Sequence, residues 1–177
     1  EMIASDKWLE TIDKQIHFRK DSKEGELLSI VGHCRFPTKG SPLNNKNNHP
    51  IVTGDVIGVH NGCISNDDAL FVDKIYDLKR IAEVDSEIIF SLIDKFAENG
   101  IDPIIPAIQR ATKLLVGSYA CAMHHNRNPY NFYIFRNYMP VCIRTYECGL
   151  MMFATRKNYI EDAEKVGADL GDYEEYI

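Results

Sequence analysis

A chain of 177 residues with 45% hydrophobic and 26% charged content can bury a substantial core and has the make-up of an ordinary globular protein. Its net charge of −6 excludes the basic footprint that nucleic acid or an anionic membrane surface requires. No run approaches the roughly 20 apolar residues of a membrane helix and no secretory leader opens the chain, so it reads as one cytoplasmic domain over residues 1–177, with no nucleic-acid or membrane partner.

In chain order, Trp8, Leu9, Ile12 and Ile16 recur at helical spacing, and a charged turn follows as far as Gly25. Residues 27–31 form a short apolar run that predicts a buried strand leading into Gly32. Residues 38–50, rich in Gly, Pro, Asn and Ser, predict a long loop. Two apolar runs, 51–52 and 56–59, flank Thr53-Gly54-Asp55 and predict a hairpin that delivers His60-Asn61-Gly62 at its end. Asp85 and Ser86 are good N-cap types for a helix whose apolar face is Ile88, Ile89, Leu92, Ile93 and Phe96, closed by Asn99-Gly100. Residues 103–115 repeat that pattern, and strand-like segments follow at 119–123, 131–135, 141–145 and 150–154. The acidic tail, 172–177, is expected to fray. These periodicities define an α+β fold.

Five cysteines, Cys34, Cys63, Cys121, Cys142 and Cys148, are odd in number and lack paired spacing, which argues for a reducing compartment rather than a disulfide framework. Without Cys-x-x-Cys or a helical His pair, no metal site or cofactor is expected. His124-His125 read as a solvent-facing pair at a strand end.

Three segments carry chemistry: Gly32-His33-Cys34-Arg35-Phe36-Pro37-Thr38-Lys39-Gly40, His60-Asn61-Gly62 and Asp85-Ser86-Glu87. Taken singly, each residue has two readings. Arg35 is either a surface or structurally paired arginine, or a bidentate fork for a carboxylate. Phe36 suits a pocket wall or a core, and Thr38 can add a hydroxyl contact. Asn61-Gly62 is a common turn dipeptide, and the same pair presents a carboxamide and a backbone N–H together. Asp85 suits a helix N-cap or the receptor of an ammonium, while Glu87 complements the first helical turn. His60 and His49 read as structural hydrogen-bonders. Cys34 and Cys63 lie beside the proposed pocket, but in extended geometry Cys34 points away from Arg35.

The ordered set resembles the glutaminase domain of class II glutamine amidotransferases, which are N-terminal-nucleophile hydrolases. Their pattern runs Gly-His-Thr-Arg-Trp-Ala-Thr-His-Gly, Asn-x-His-Pro, His-Asn-Gly, then Asp-Ser-Glu opening a helix. Asn47-Asn48-His49-Pro50 supplies the second element here, and the likeness continues through Gly117-Ser118-Tyr119-Ala120, Arg136-Asn137 and Phe153-Ala154-Thr155, over about residues 28–156. Lys39-Gly40-Ser41-Pro42 further resembles small bacteriophage-encoded members, which would place the protein in a host cytoplasm. The resemblance implies a four-layer αββα sandwich. It implies L-glutamine as substrate, with Arg35, Phe36, Thr38 and Asp85 binding it and Asn61 and Gly62 forming the oxyanion hole.

Three departures stand out. The family places a catalytic Cys at its mature N-terminus, whereas this chain opens Glu1-Met2-Ile3. No Arg-Gly-x-Asp-like stretch precedes Gly32. Cys34, Phe36 and Lys39 stand where Thr, Trp and His are more usual. The fold is therefore expected with its N-terminal part missing or degenerate, and the chain as written without turnover. Two functions follow: a glutaminase that passes ammonia to a synthase partner, or a non-catalytic amidotransferase-like component of a larger assembly.

Overall fold

The computed structural model describes residues 29–100, 102–167 and 169–177. The chain divides into two compact units, Glu1–Ile30 and Val31–Ile177. The helix expected around residues 8–16 and the start of the strand expected at 27–31 lie outside the described residues. From 29 to 37 the backbone has no regular structure, so this stretch is not the buried strand that its apolar run predicts. A strand needs a ladder partner, and none pairs with this segment among the described residues.

The second unit begins with the expected loop, which contains one turn of 3-10 helix at Asn45–Asn47. The hairpin follows as β1 (Ile51–Thr53) and β2 (Val56–Ile64). Then come α1 (Asp67–Val72), α2 (Ser86–Ala97), which runs into a 3-10 turn at Glu98–Gly100, and α3 (Ile104–Thr112). The chain closes with β3 (Gly117–His125), β4 (Phe132–Asn137), β5 (Cys142–Tyr146), β6 (Met151–Ala154), α4 (Lys157–Val166) and β7 (Tyr173–Tyr176). The strands form two antiparallel sheets, β1-β2-β3-β4 and β6-β5-β7.

The helix α2 is the centre of the core. Ile88, Ile89, Phe90, Leu92 and Ile93 are fully buried, more than a one-sided stripe predicts, because β1 and β2 cover one side and α3 another. The close approach requires a glycine beneath it: a Cβ at Gly58 of β2 would stand 2.3 Å from the Phe90 ring. The helix α3 offers Ala107, Ile108 and Ala111 to the same core. Arg110 lies 4.1 Å over the Phe96 ring and reaches Asp102 at 3.2 Å.

The second sheet is organised by Arg144 at the middle of β5, with only 2% of its side chain exposed. Its guanidinium donates to Glu164 of α4 at 2.6 Å and to Glu175 of β7 at 2.7 Å, and lies 4.4 Å from the Tyr173 ring. Tyr146 donates to Glu164 as well. The tail expected to fray is therefore strand β7, held to β5 by its ladder and by Glu175. Phe132 of β4 and Phe153 of β6 bring the two sheets into contact, with ring centroids 5.3 Å apart. None of the described helices is long and apolar enough to cross a membrane.

Candidate functional site

The site begins with the hydrogen-bond alternation of β2. In an antiparallel ladder, successive residues turn their N–H and C=O toward opposite edges. Asp55 accepts from Asn126, and Ser65 donates to Val116, so the odd-numbered residues of β2 bond to β3. The even-numbered residues face β1, but β1 starts only at Ile51, opposite Gly58. Beyond Gly58 that edge takes other partners. The His33 ring lies close to the His60 backbone, and Ile64 donates its N–H to Asp85 Oδ2 at 2.7 Å. Between them, the N–H of Gly62 points to the same open edge.

This corrects the turn reading of Asn61-Gly62. Both lie inside β2, paired with Ala120 and Tyr119 of β3. The glycine is still demanded by the backbone: φ is +144° at Gly62, and a Cβ there would stand 2.0 Å from the Ser118 carbonyl oxygen. His60 and Asn61 alternate across the sheet. His60 reaches the start of α2, its Nδ1 2.9 Å from Ser86 Oγ, and Asn61 projects from the opposite face.

The expected cap is corrected too. Asp85 stands at the N-cap position of α2 without a side-chain capping bond, and its carboxylate serves Ile64 instead. Glu87 does more than complement a helical turn: it is 1% exposed and accepts the N–H groups of Ile81 and Ala82 at 2.7 and 2.6 Å. The segment before α2 is thereby fixed. Asn47, fully buried, ties the 38–50 loop to it by donating to Glu83 Oε2 at 2.7 Å and accepting from the Glu83 N–H at 2.9 Å.

Arg35 is bound into its own loop. Nη2 donates to the Lys39 and Gly40 carbonyls at 2.5 and 3.1 Å, and Nη1 to Asn48 Oδ1 at 3.2 Å. Of the five guanidinium N–H groups, Nε–H and one on Nη1 have no partner in that set. Lys39 Nζ donates to Asp67 Oδ2 at 2.5 Å and Asp68 Oδ1 at 2.9 Å, and Arg80 pairs with both carboxylates.

Arg35, Phe36, Thr38, Asn61, Gly62 and Asp85 all line one cavity of about 220 Å³, together with His33, Cys34, Lys39, His49, His60, Val84 and Ser86. The volume is below the roughly 300–1,000 Å³ of drug-sized pockets and suits a small polar metabolite. The Phe36 ring is 88% exposed, so it flanks the mouth and is not core. Lys39, Ser86 and the three histidines lacked a sequence signal for this position beyond their place in the motifs.

The histidines are held neutral. Burial lowers His49 to about 3, helped by the neighbouring charges of His33, His60 and Arg35. Burial also lowers His60 to about 4 against the opposing pull of Asp85, and lowers His33. The His33 and His49 rings pack at a tilt of 39° with centroids 4.2 Å apart, and His33 Nδ1 and both His49 nitrogens are buried without a hydrogen-bond partner among the described residues. Of the five cysteines, only Cys34 lines this cavity, while the buried Cys121 and Cys142 thiols are pushed up by desolvation.

A second cluster lies away from this cavity. Asp55, Asp94 and His125 each offer a ligand atom within 4.8 Å of the others, and His125 is fully buried rather than solvent-facing as expected. His125 Nδ1 accepts the Arg127 N–H at 3.1 Å, which puts the ring proton on Nε2, and Arg127 Nε pairs with Asp55 at 3.0 Å. A protonated Nε2 and a resident guanidinium suit an ion-paired polar cluster better than a metal site.

The α+β fold has a counterpart among solved structures. The glutamine phosphoribosylpyrophosphate amidotransferase of B. subtilis, complexed with ADP and GMP, matches 68% of this chain and 26% of that one, with a TM-score of 0.53 and 16% identity, a likeness of fold. By sequence, the homologues are glutamine–fructose-6-phosphate aminotransferases. The protein of Staphylococcus epidermidis is 33% identical over 125 residues, 70% of this chain and 20% of that one. The protein of Halobacterium salinarum is 36% identical over 112 residues, 63% of this chain and 18% of that one. The chain thus spans about a fifth of the length of these curated relatives. No protein-family model matches it.

Proposed function

We propose that this chain is the glutamine-binding part of a class II glutamine amidotransferase, a glutaminase that hydrolyses the side-chain amide of L-glutamine and hands ammonia to a synthase partner. The observation that carries the reading is the arrangement of Arg35, Asn61, Gly62 and Asp85 around one cavity, from segments up to fifty residues apart in sequence. The names of the homologues, which include glutamine, support it. The two sheets, with α2 packed on the first and α4 on the second, are compatible with an αββα sandwich of the N-terminal-nucleophile type.

In this reading the free N–H groups of Arg35 take the α-carboxylate, with Thr38 beside it and the Phe36 ring over the mouth. Asp85 Oδ2 is held by Ile64, which leaves Oδ1 for the α-ammonium. The Asn61 carboxamide and the Gly62 N–H receive the oxyanion that develops when the side-chain carbonyl is attacked. Attack requires a thiolate aligned with the carbonyl and a base beside it. An N-terminal Cys, activated by its own α-amine, would meet both needs, and none of the five cysteines in the chain does. We therefore place the nucleophile on a segment outside these 177 residues, in a bacterial host's cytoplasm if the gene is a phage's.

The experiment is calorimetric titration of the chain with L-glutamine, paired with ammonia release by the full gene product. Binding by the chain, without turnover, and ammonia release by a longer protein that begins with Cys are the expected results. Labelling of Cys34 by a glutamine-mimicking electrophile, with ammonia released by the chain alone, would overturn the assignment of the nucleophile. Binding without turnover in every form of the gene product would favour the second reading, a non-catalytic component of a larger assembly.

A further inference from the structure

We propose that Lys39 is a positioning residue for Arg35: its ammonium, clamped by Asp67 and Asp68, fixes the backbone carbonyls that hold the Arg35 fork at the cavity. The inference deepens the glutamine-binding reading and rests on it for the ligand.

The side chain of Asp67 is only 4% exposed. A carboxylate that far from water needs charged partners, and it has two, Lys39 Nζ at 2.5 Å and Arg80 Nη2 at 2.7 Å. Asp67 and Arg80 are anchored in the body of the unit. Asp67 opens α1, and Arg80 also donates through Nε to the Ala82 carbonyl at 2.9 Å, in the segment that Glu87 pins. Lys39 is the one member of this network that belongs to the 38–50 loop.

Lys39 faces two ways. Its side chain runs to the acidic pair, and its carbonyl, with that of Gly40, takes both N–H groups of Arg35 Nη2. An ion pair therefore sets the position of the backbone that orients the guanidinium. Removing the ammonium leaves Asp67 still paired with Arg80, so the buried charge stays compensated. The loop carbonyls, however, lose the tether at Lys39 itself and are held only by the Asn47 ties to Glu83 further along the loop, so the Arg35 fork is less firmly directed. Charge-assisted bonds of this kind are strong and geometrically selective, and a displacement of about 1 Å at a positioning contact can cost a factor on the order of 10².

The test uses Lys39→Met, which keeps most of the stem and removes the charge, with Lys39→Arg as the conservative rescue. Nitrogen NMR of the Arg35 guanidinium reads its rotation directly, and calorimetry reads L-glutamine affinity. In Lys39→Met we expect the resolved Arg35 Nη signals to merge and glutamine to bind about tenfold more weakly, with Lys39→Arg restoring both. In an Arg35→Lys background, Lys39→Met is expected to change affinity no further, because the two act in series. Asp68→Asn, at an exposed carboxylate, serves as the milder second variant and shows the same pattern in smaller degree if Lys39→Met does not fold. Unchanged Arg35 signals in Lys39→Met, or losses that simply add in the double variant, would overturn the proposal. A parent chain that does not bind glutamine would sink the functional reading alone, and the Arg35 signals would still decide the role of Lys39.

Discussion

Ile64 donates its backbone N–H to Asp85 Oδ2 at 2.7 Å, so a residue at the end of one strand is held by the residue that precedes the central helix. The bond ties β2 to α2 on the cavity side and occupies one oxygen of Asp85, Oδ2. Asp85→Asn keeps an acceptor for Ile64 but loses the charge. We expect little change in unfolding free energy and a marked loss of glutamine binding. Asp85→Ala also strands the buried Ile64 N–H, at a cost of about 1–3 kcal/mol. Urea unfolding and calorimetry of both variants separate the two effects.

Gly62→Ala is expected to be among the most damaging single changes in the unit. The backbone at φ +144° is strained for any side chain, and the new methyl would overlap the Ser118 carbonyl. A loss of at least about 3 kcal/mol follows from strain and clash together. Chemical denaturation checks it, and a variant as stable as the parent would mean that β2 and β3 do not run side by side at this point.

Acid should destabilise the fold before the carboxylates titrate. His49 and His60 ionise in the folded state at about 3 and about 4, below the ordinary 6.5. An unfolded chain therefore binds protons that the folded chain refuses. The stability these histidines contribute is present above pH 6.5 and is lost as pH falls through 6.5 toward 4. Melting temperature measured from pH 8 to 4 should drop across that window, and His49→Gln should flatten the drop.

Arg144→Met should loosen the second sheet selectively. The variant leaves Glu161, Glu164 and Glu175 facing one another with Lys157 as the nearest cation. Amide hydrogen exchange should speed up in α4 and β7 while β2 and β3 keep their protection. A uniform change across both sheets would show that Arg144 supports the whole unit.

What the sequence made legible was local. The hairpin at Thr53-Gly54-Asp55 and the apolar stripe of α2 are written in short-range periodicity; β1 and α2 form where these place them, while β2 starts where expected and runs on to Ile64. Asn61-Gly62 misled because a turn dipeptide and a strand glycine look alike until the partner, about sixty residues away, is known. Helix α1 is too short to show a period, and α4 buries Ile160 alone among charged residues. The tail was misjudged for the same reason: its acidity signals fraying unless a buried arginine waits on a neighbouring strand. The candidate site was legible as a set of motifs, whereas the engagement of Arg35 by its own loop and of Asp85 by Ile64 belongs to tertiary geometry alone.

The late start of β1 has a wider meaning for how such a cavity is kept open. Had the strand continued two residues along the same register, His49 would stand opposite His60, and two more residues would bring the ladder to Gly62. The backbone groups now turned to the cavity would be spent on a neighbour, and the sheet would be complete but inert. Here the length of one short strand sets how much of the β2 edge stays open to the cavity. Sequence changes that lengthen or shorten β1 could open or seal the cavity while leaving every residue that lines it untouched.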